Sequence, residues 1–477
     1  MAYSPELGSE LQKARTENQS RLTAIAMTLL IHLLVFGLLA WIVLVPFSPE
    51  PPTIEFIAPA SSSEKPKLTP RDFTDRITRE KPSRPSSAAP IVITAPVPSD
   101  VSLISVEVDV DTFGIGLGHD FSGGGFEGTG PGGGPPGVPE TLKGRCNQTD
   151  RIKRLRENGG SRDLDRKVIR ALDWLQQQQN ADGSWGQTYP VAMTGFAVLA
   201  FSGHCETVDS PEYGETLIKA IAYLVDKSGT NNGMLSSVPG NHAPYEHGIA
   251  TYALAEAYSL NKNALAKHPR ISPALRNAVP IIIEGQTKGG GWLYAYRQNG
   301  TGDLSISGWN IQALKAAELT GLKFSGLSKA KKQALAYLKV AVAPNGLYRY
   351  RITDRHPGRL SLTGVGVLCG RMLGQPMPNE DKSFSAILAA VPQAYRSADL
   401  YALYYNSQAC FQKGGATWKK YNSTQQKLII DSQEKDGSWP VAAGHIGGAQ
   451  ADAKIYHTCL CTLMLEVYYR YLPATAS

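Results

Sequence analysis

The pattern Gln-x3-Gly-x-Trp occurs three times in this 477-residue chain, and no other feature narrows its fold as much. The copies are Gln179–Gly183–Trp185, Gln286–Gly290–Trp292 and Gln433–Gly437–Trp439. Asn232-Gly233-Met234-Leu235 and Asn345-Gly346-Leu347-Tyr348 are weaker versions, and a degenerate position falls near Tyr395-Arg396-Ser397-Ala398. Self-similarity at a fixed spacing signals one supersecondary unit stacked on copies of itself.

Each copy sits between two helical patterns. Before the first, Arg166 to Gln179 places Val168, Ile169, Leu172 and Leu175 at helical spacing, with Lys and Arg between them. That is an amphipathic helix with one buried face. After the turns come more apolar runs, at 192–201, 249–257, 306–317, 362–372, 400–411 and 455–469. Outer helices with one polar face and inner helices buried all round predict an all-α fold. The expected architecture is an (α/α)6 toroid of six outer/inner pairs over 143–477. The turn residues have structural tasks. Glycine ends the outer helix in a left-handed conformation, and tryptophan gives a large apolar surface to the next pair. Glutamine is placed to bond backbone at a neighbouring helix end.

Q-x3-G-x-W turns between six outer and six inner helices resemble the repeats of squalene cyclases and protein prenyltransferase β-subunits, over roughly residues 145–473. The closing segment from Leu465 to Pro473 is similar to that of membrane-anchored bacterial toroid proteins. The resemblance implies a central cavity with any chemistry at the inner-helix ends. A class II cyclase protonates an alkene with a strongly acidic D-x-D-D carboxyl group. That motif is absent here. Asp163-Leu164-Asp165-Arg166 comes nearest but begins an outer helix, where capping is the expected role. D-D-x-x-D is absent too. Prenyltransferases hold zinc with Asp, Cys and His. In His457-Thr458-Cys459-Leu460-Cys461 only positions 457 and 461 share a helix face. His247 or His445 would have to complete the set, so no metal and no cofactor are assigned. Cys205-Glu206-Thr207 is not the C-x-E-Q of thioester domains.

Toroidal polysaccharide lyases supply a third comparison, with Tyr and His abstracting a proton beside a uronate. Tyr245, Glu246 and His247 open the second inner helix, and Asp303, Trp309, Tyr404, Tyr405 and His457 are candidates for the same cavity mouth. A histidine at a helix N-terminus has its cationic form disfavoured, which suits a neutral base and equally a capping histidine. The favoured reading is a ring that binds an apolar, isoprenoid-like or extended ligand, or a partner protein, without cyclase activity. A terpenoid cyclase or prenyltransferase is the alternative, and a polysaccharide lyase-like enzyme the second alternative.

The N-terminal third reads differently. Leu22 to Val45 is a run without Asp, Glu, Lys or Arg, long enough to span a bilayer. Lys13, Arg15 and Arg21 precede it, and the next cation is Lys65, which predicts the N-terminus (1–21) inside and the bulk outside. The expected protein is single-pass, anchored in the inner membrane by 22–46, with a periplasmic or extracytoplasmic domain. Thr28 and His32 share a helix face. They resemble the Ser-x-x-x-His of TonB-type energy-transducer anchors, which implies contact with an inner-membrane motor complex; helix packing is the other reading. Residues 47–142 are rich in Pro, Ser and Gly and predict a spacer, with a short strand at 101–110. Glu107, Asp109 and Asp111 on one side of that strand are expected to face solvent. The six cysteines are too few for a disulfide scaffold, and most lie in apolar runs as buried thiols. A net charge of +7 without a Lys/Arg stripe excludes nucleic-acid binding.

Overall fold

A computed structural model describes residues 145–237, 240–260, 270–443 and 450–470, with 27–30, 32 and 34. The chain divides into two units, Met1–Ile104 and Ser105–Ser477. In the first, the ring Nδ1 of His32 bonds the Thr28 carbonyl at 2.7 Å. No helix among the described residues is long and apolar enough to cross a membrane. The transmembrane helix expected over 22–46 lies mostly outside the described residues, which neither hold nor test it. Outside them too are 1–21, the 47–142 spacer with its strand at 101–110, and His445.

The second unit is helical, with only isolated bridges such as Trp292–Asp303 among its described residues. Helix α1 (Gln148–Glu157) precedes six pairs: α2 (Arg162–Gln177) with α3 (Pro190–Gly203), α4 (Gly214–Thr230) with α5 (Ala243–Leu260), and α6 (Ile271–Glu284) with α7 (Leu304–Leu319). They continue as α8 (Leu327–Ala341) with α9 (Leu360–Met372), α10 (Glu380–Ala389) with α11 (Leu400–Lys413), and α12 (Gly415–Asp431) with α13 (Gln450–Arg470). The inner helices α3, α5, α7, α9, α11 and α13 each pack on the next, and α13 returns to α3, so the toroid closes. Every residue of α3 from Val191 to Gly203 is buried. At about 1.5–3 kcal/mol for each large apolar side chain, such helices supply most of the driving force.

The repeated turn closes the ring by hydrogen bonds. Gln179 Nε2 donates to the carbonyls of Gly183 (3.0 Å) and Thr216 on the next outer helix, α4 (2.9 Å). Gln286 reaches Gly290 (2.7 Å) and Ala330 on α8 (2.9 Å) in the same way. Gln433 reaches Gly437 (2.9 Å) and, across the seam, Lys167 on α2 (2.8 Å). The tryptophans Trp185, Trp292 and Trp439 are fully buried. Their Nε1–H groups donate to the carbonyls of Leu175, Ile282 and Ile429 in the last turn of their own outer helices. Gly183 has φ +88°, and a Cβ there would stand 2.5 Å from the Lys219 carbonyl oxygen. Only glycine fits both the conformation and the approach.

The C-terminal ends of the inner helices form a closed end rich in charge. Arg145 and Arg470 grip Glu256 at 2.6 and 2.7 Å. Arg151 and His204 both lie 3.4 Å from Asp165, and His204 lies 2.7 Å from Glu206. The capping expected of the Asp163–Arg166 stretch is thus corrected: Ser161 is the N-cap, Asp163 pairs with Arg166, and Asp165 is spent in this buried network. A disulfide joins Cys146 to Cys205 and fixes the segment before α1 to the end of α3. The sequence reading contained no such bond. Cys369, Cys410, Cys459 and Cys461 are buried thiols.

Candidate functional site

The opposite end, where the inner helices begin, holds a cavity of about 400 Å³. One local rule places its walls. The backbone N–H at the Trp position of a turn bonds a side chain in the first turns of the following inner helix. Trp185 donates to Thr194 Oγ1, Leu235 to His247 Nδ1, and Trp292 to Ser307 Oγ. Tyr348 donates to Thr363 Oγ1 and Trp439 to Thr458 Oγ1. Two residues before these acceptors stand Ala192, Tyr245, Ser305, Ser361 and Tyr456, and all five line the cavity. The residue after each is small, so that Gly195 of α3, for example, lies against the Ala250 backbone of α5.

The cavity is aromatic and polar at once. Trp309, Tyr294 and Tyr401 add to its walls, and Asp399 and His457 give it ionisable groups. Tyr245 Oη lies 2.6 Å from Ser305 Oγ, and Ser305 Oγ donates to Asp303 Oδ1 at 2.5 Å. The only Ser305 proton is thus committed to Asp303, and Tyr245 donates to Ser305. The three form a chain that ends on a carboxylate with no solvent exposure. Burial raises the Asp303 pKa against the hydrogen bonds from Ser305 and raises that of Tyr245, with Asp303 adding to the effect. Asp399, the N-cap of α11, takes the Ala402 N–H at 3.1 Å, and its pKa is also raised by burial. In the ring order α5 and α11 are opposite each other, with two inner helices between them on either side. Tyr245 and Asp399 therefore face the cavity from opposite walls.

The two histidines differ. His247 accepts from Leu235 N at 2.8 Å and meets the Ala278 carbonyl at 3.0 Å, and it is wholly buried. Burial lowers its pKa to about 4, so it is a neutral structural ring outside the cavity. His457 accepts from Ala442 N at 3.1 Å through Nδ1, which leaves the proton on Nε2. Its pKa is lowered by burial to about 4 as well, so it offers the cavity a neutral N–H donor. Glu246 lines the cavity, but both its oxygens are engaged, by Ala192 N, Ser236 Oγ, Ser237 N and Ser237 Oγ. It holds the α3 and α5 ends together.

The residues singled out from sequence thus separate. Tyr245, Glu246, Trp309 and His457 line the cavity, and Asp303 stands behind it. Tyr404 and Tyr405 do not reach the mouth. They are buried behind Trp309, where Tyr404 stacks at 5.5 Å, and both bond Gln312. The sequence reading missed Ser305, Asp399, Tyr401 and Tyr456. The first two were visible as an Asp-x-Ser and as an aspartate directly ahead of an apolar run, a capping signal. For zinc, Cys461 Sγ lies 3.7 Å from Tyr395 Oη, and no group of three ligand residues capable of holding a metal occurs among the described residues.

No family model matches the chain, and no curated protein matches it. Similar solved structures include two of the α-1,6-mannanase GH76A of Salegentibacter sp. HEL1_6. One is an inactive variant in complex with α-1,6-mannotriose, at 10% identity and TM-score 0.47, covering 64% of this chain and 99% of that one. The other is the GH76A enzyme at 11% identity and TM-score 0.47, covering 64% and 98%. No family model shows squalene-cyclase membership, so the family expectation is corrected to the toroid fold alone, which the helix order and ring closure show. The expectation of a non-enzymatic ring holding an apolar ligand or partner is corrected with it. The lining carries Asp399, Ser305, Ser361 and His457, polar groups that an isoprenoid would bury without replacing their hydrogen bonds to water. The chain is, by its own helix order, an α/α toroid.

Proposed function

We propose that the ring is a polysaccharide-active enzyme that cleaves a glycosidic bond in the central cavity. The observation that carries this reading is the Tyr245–Ser305–Asp303 chain facing Asp399 across aromatic walls. Breaking a glycosidic bond needs a proton given to the leaving oxygen and a base on the other side of the sugar. Asp399, with its raised pKa, suits the acid. Tyr245 suits the base: it takes a proton from the water that adds to the anomeric carbon, as its own passes to Ser305 and that of Ser305 to Asp303. No free phenolate forms, so the raised pKa of Tyr245 is no obstacle. The Nε2–H of His457 binds a sugar oxygen, and the Tyr and Trp faces take the apolar faces of the rings.

The Cys146–Cys205 disulfide supports an oxidising, extracytoplasmic site of action. The test is depolymerisation of a panel of neutral and acidic polysaccharides by the full-length chain, followed by reducing-end release and by ultraviolet absorbance of unsaturated products. Tyr245→Phe and Asp399→Asn should each lower kcat by about 10²- to 10⁴-fold with little change in KM. Cleavage that survives both substitutions would overturn the reading, as would no cleavage across the panel.

A further inference from the structure

A second groove, of about 340 Å³, opens beside the central cavity, and Tyr294 lines both. Its other walls include Arg297, Arg351, Asn299 and Gly300. The backbone that builds it is unusual: Ala295 and Tyr296 are consecutive non-glycine residues in the left-handed region, at φ 56° and 48°. Such conformations persist where the surroundings over-determine them, and they concentrate at functional sites. Tyr294 Oη meets Tyr350 Oη at 2.7 Å. The guanidinium groups of Arg351 and Arg359 stand over the Tyr350 ring at 5.7 and 5.3 Å. A guanidinium over an aromatic face gains cation–π attraction and still has N–H groups to offer an anion.

The charge of this groove is unbalanced. No carboxylate of a described residue pairs with Arg297, Arg351 or Arg359, whereas buried arginines elsewhere in the ring, such as Arg145 and Arg151, do have carboxylate partners. Asp354 takes only the backbone N–H of Arg351, at 3.1 Å. Arg297 and Arg351 in the groove, with Arg359 beside them over the Tyr350 ring, are uncompensated cations next to the central cavity and suit a negatively charged unit of the chain that the cavity holds.

We propose that Arg297, Arg351 and Arg359 form a subsite for an anionic sugar, so that the substrate is an acidic polysaccharide bearing carboxylates or sulfate esters. This rests on the reading of the cavity as a glycan-cleaving site. A sugar bound there has its anion on the guanidinium edges and its neighbour on Tyr294, which directs the next linkage towards Tyr245 and Asp399.

Calorimetric titration of the full-length chain with a tetragalacturonate, a sulfated tetrasaccharide and a neutral mannotetraose tests it. An anionic oligosaccharide should bind at least about tenfold more tightly than the neutral one, with an advantage that shrinks as salt rises. The arm that binds, carboxylate or sulfate, identifies the anion. The Arg297→Gln/Arg351→Gln variant should lose about ten- to a hundredfold in affinity for it and be unchanged towards mannotetraose. Equal binding of neutral and anionic chains, or a variant that binds the anionic chain as the parent does, overturns the subsite and leaves the glycan cavity standing. No binding of any of the three overturns both.

Discussion

Acidification should weaken the ring through His247. This imidazole is fully buried, accepts the Leu235 N–H on Nδ1 and gives its proton to the Ala278 carbonyl. Protonation would turn the Nδ1 acceptor into a second donor facing an N–H. The pKa is lowered from 6.5 to about 4. A base whose folded pKa is depressed binds more protons when unfolded, so stability falls as pH drops from 6.5 towards 4. The full span of the shift corresponds to about 3 kcal/mol, of which about 2 kcal/mol is lost between pH 7 and pH 5. His204 works the other way, because Asp165 and Glu206 raise its pKa despite burial; its contribution is present at low pH and lost as pH rises past 6.5. The raised carboxyls Asp303 and Asp399 also favour the folded state at low pH. A difference measurement isolates the His247 term. Urea unfolding of the parent and of His247→Asn at pH 7 and pH 5 should show the variant less stable at pH 7, with the gap narrowing by about 2 kcal/mol at pH 5. An unchanged gap would refute the argument.

Two further outcomes follow from the ring itself. Gln433→Ala removes both hydrogen bonds at the seam between the last and first repeats and should cost about 1–3 kcal/mol; differential scanning calorimetry reads it, with Lys427→Ala on the exposed face of α12 as a control near zero. Replacing Cys146 and Cys205 together by serine opens a link across 59 residues and should cost about 2–4 kcal/mol, read as a lower melting temperature that reductant reproduces in the parent alone.

The fold was legible because its signals are local. Gly183, Gly290 and Gly437 mark turns by their own backbone needs, and the residues that bury α3 or α13 follow one another in sequence. The site was legible only in part, because its chemistry is assembled across the ring. Tyr245 and Asp303 stand out as chemistry-bearing residues at helix starts, yet nothing near either reveals that Ser305 joins them. Asp399 follows a turn too degenerate to align, so its equivalence to Asp303 as a helix cap escapes notice until both caps are seen. Tyr404 and Tyr405 misled in the opposite sense: on an inner helix buried on all sides, aromatic character does not tell the cavity face from the core. The Cys146–Cys205 bond depends on α1 folding back on the closed end, which no periodicity announces.

The clasp of Gln433 on Lys167 means that this array has no end repeats. An open solenoid frays from its termini and needs polar caps to stay soluble. Here the sixth unit supplies the neighbour the first would lack, so the order of the repeats along the chain matters less than their order around the circle. A chain cut at an exposed turn between pairs, such as 321–326, and rejoined through a linker between its old ends should assemble the same ring. Removal of a single pair leaves the circle unable to close, and the molecule should melt as one unit with no stable five-membered remnant.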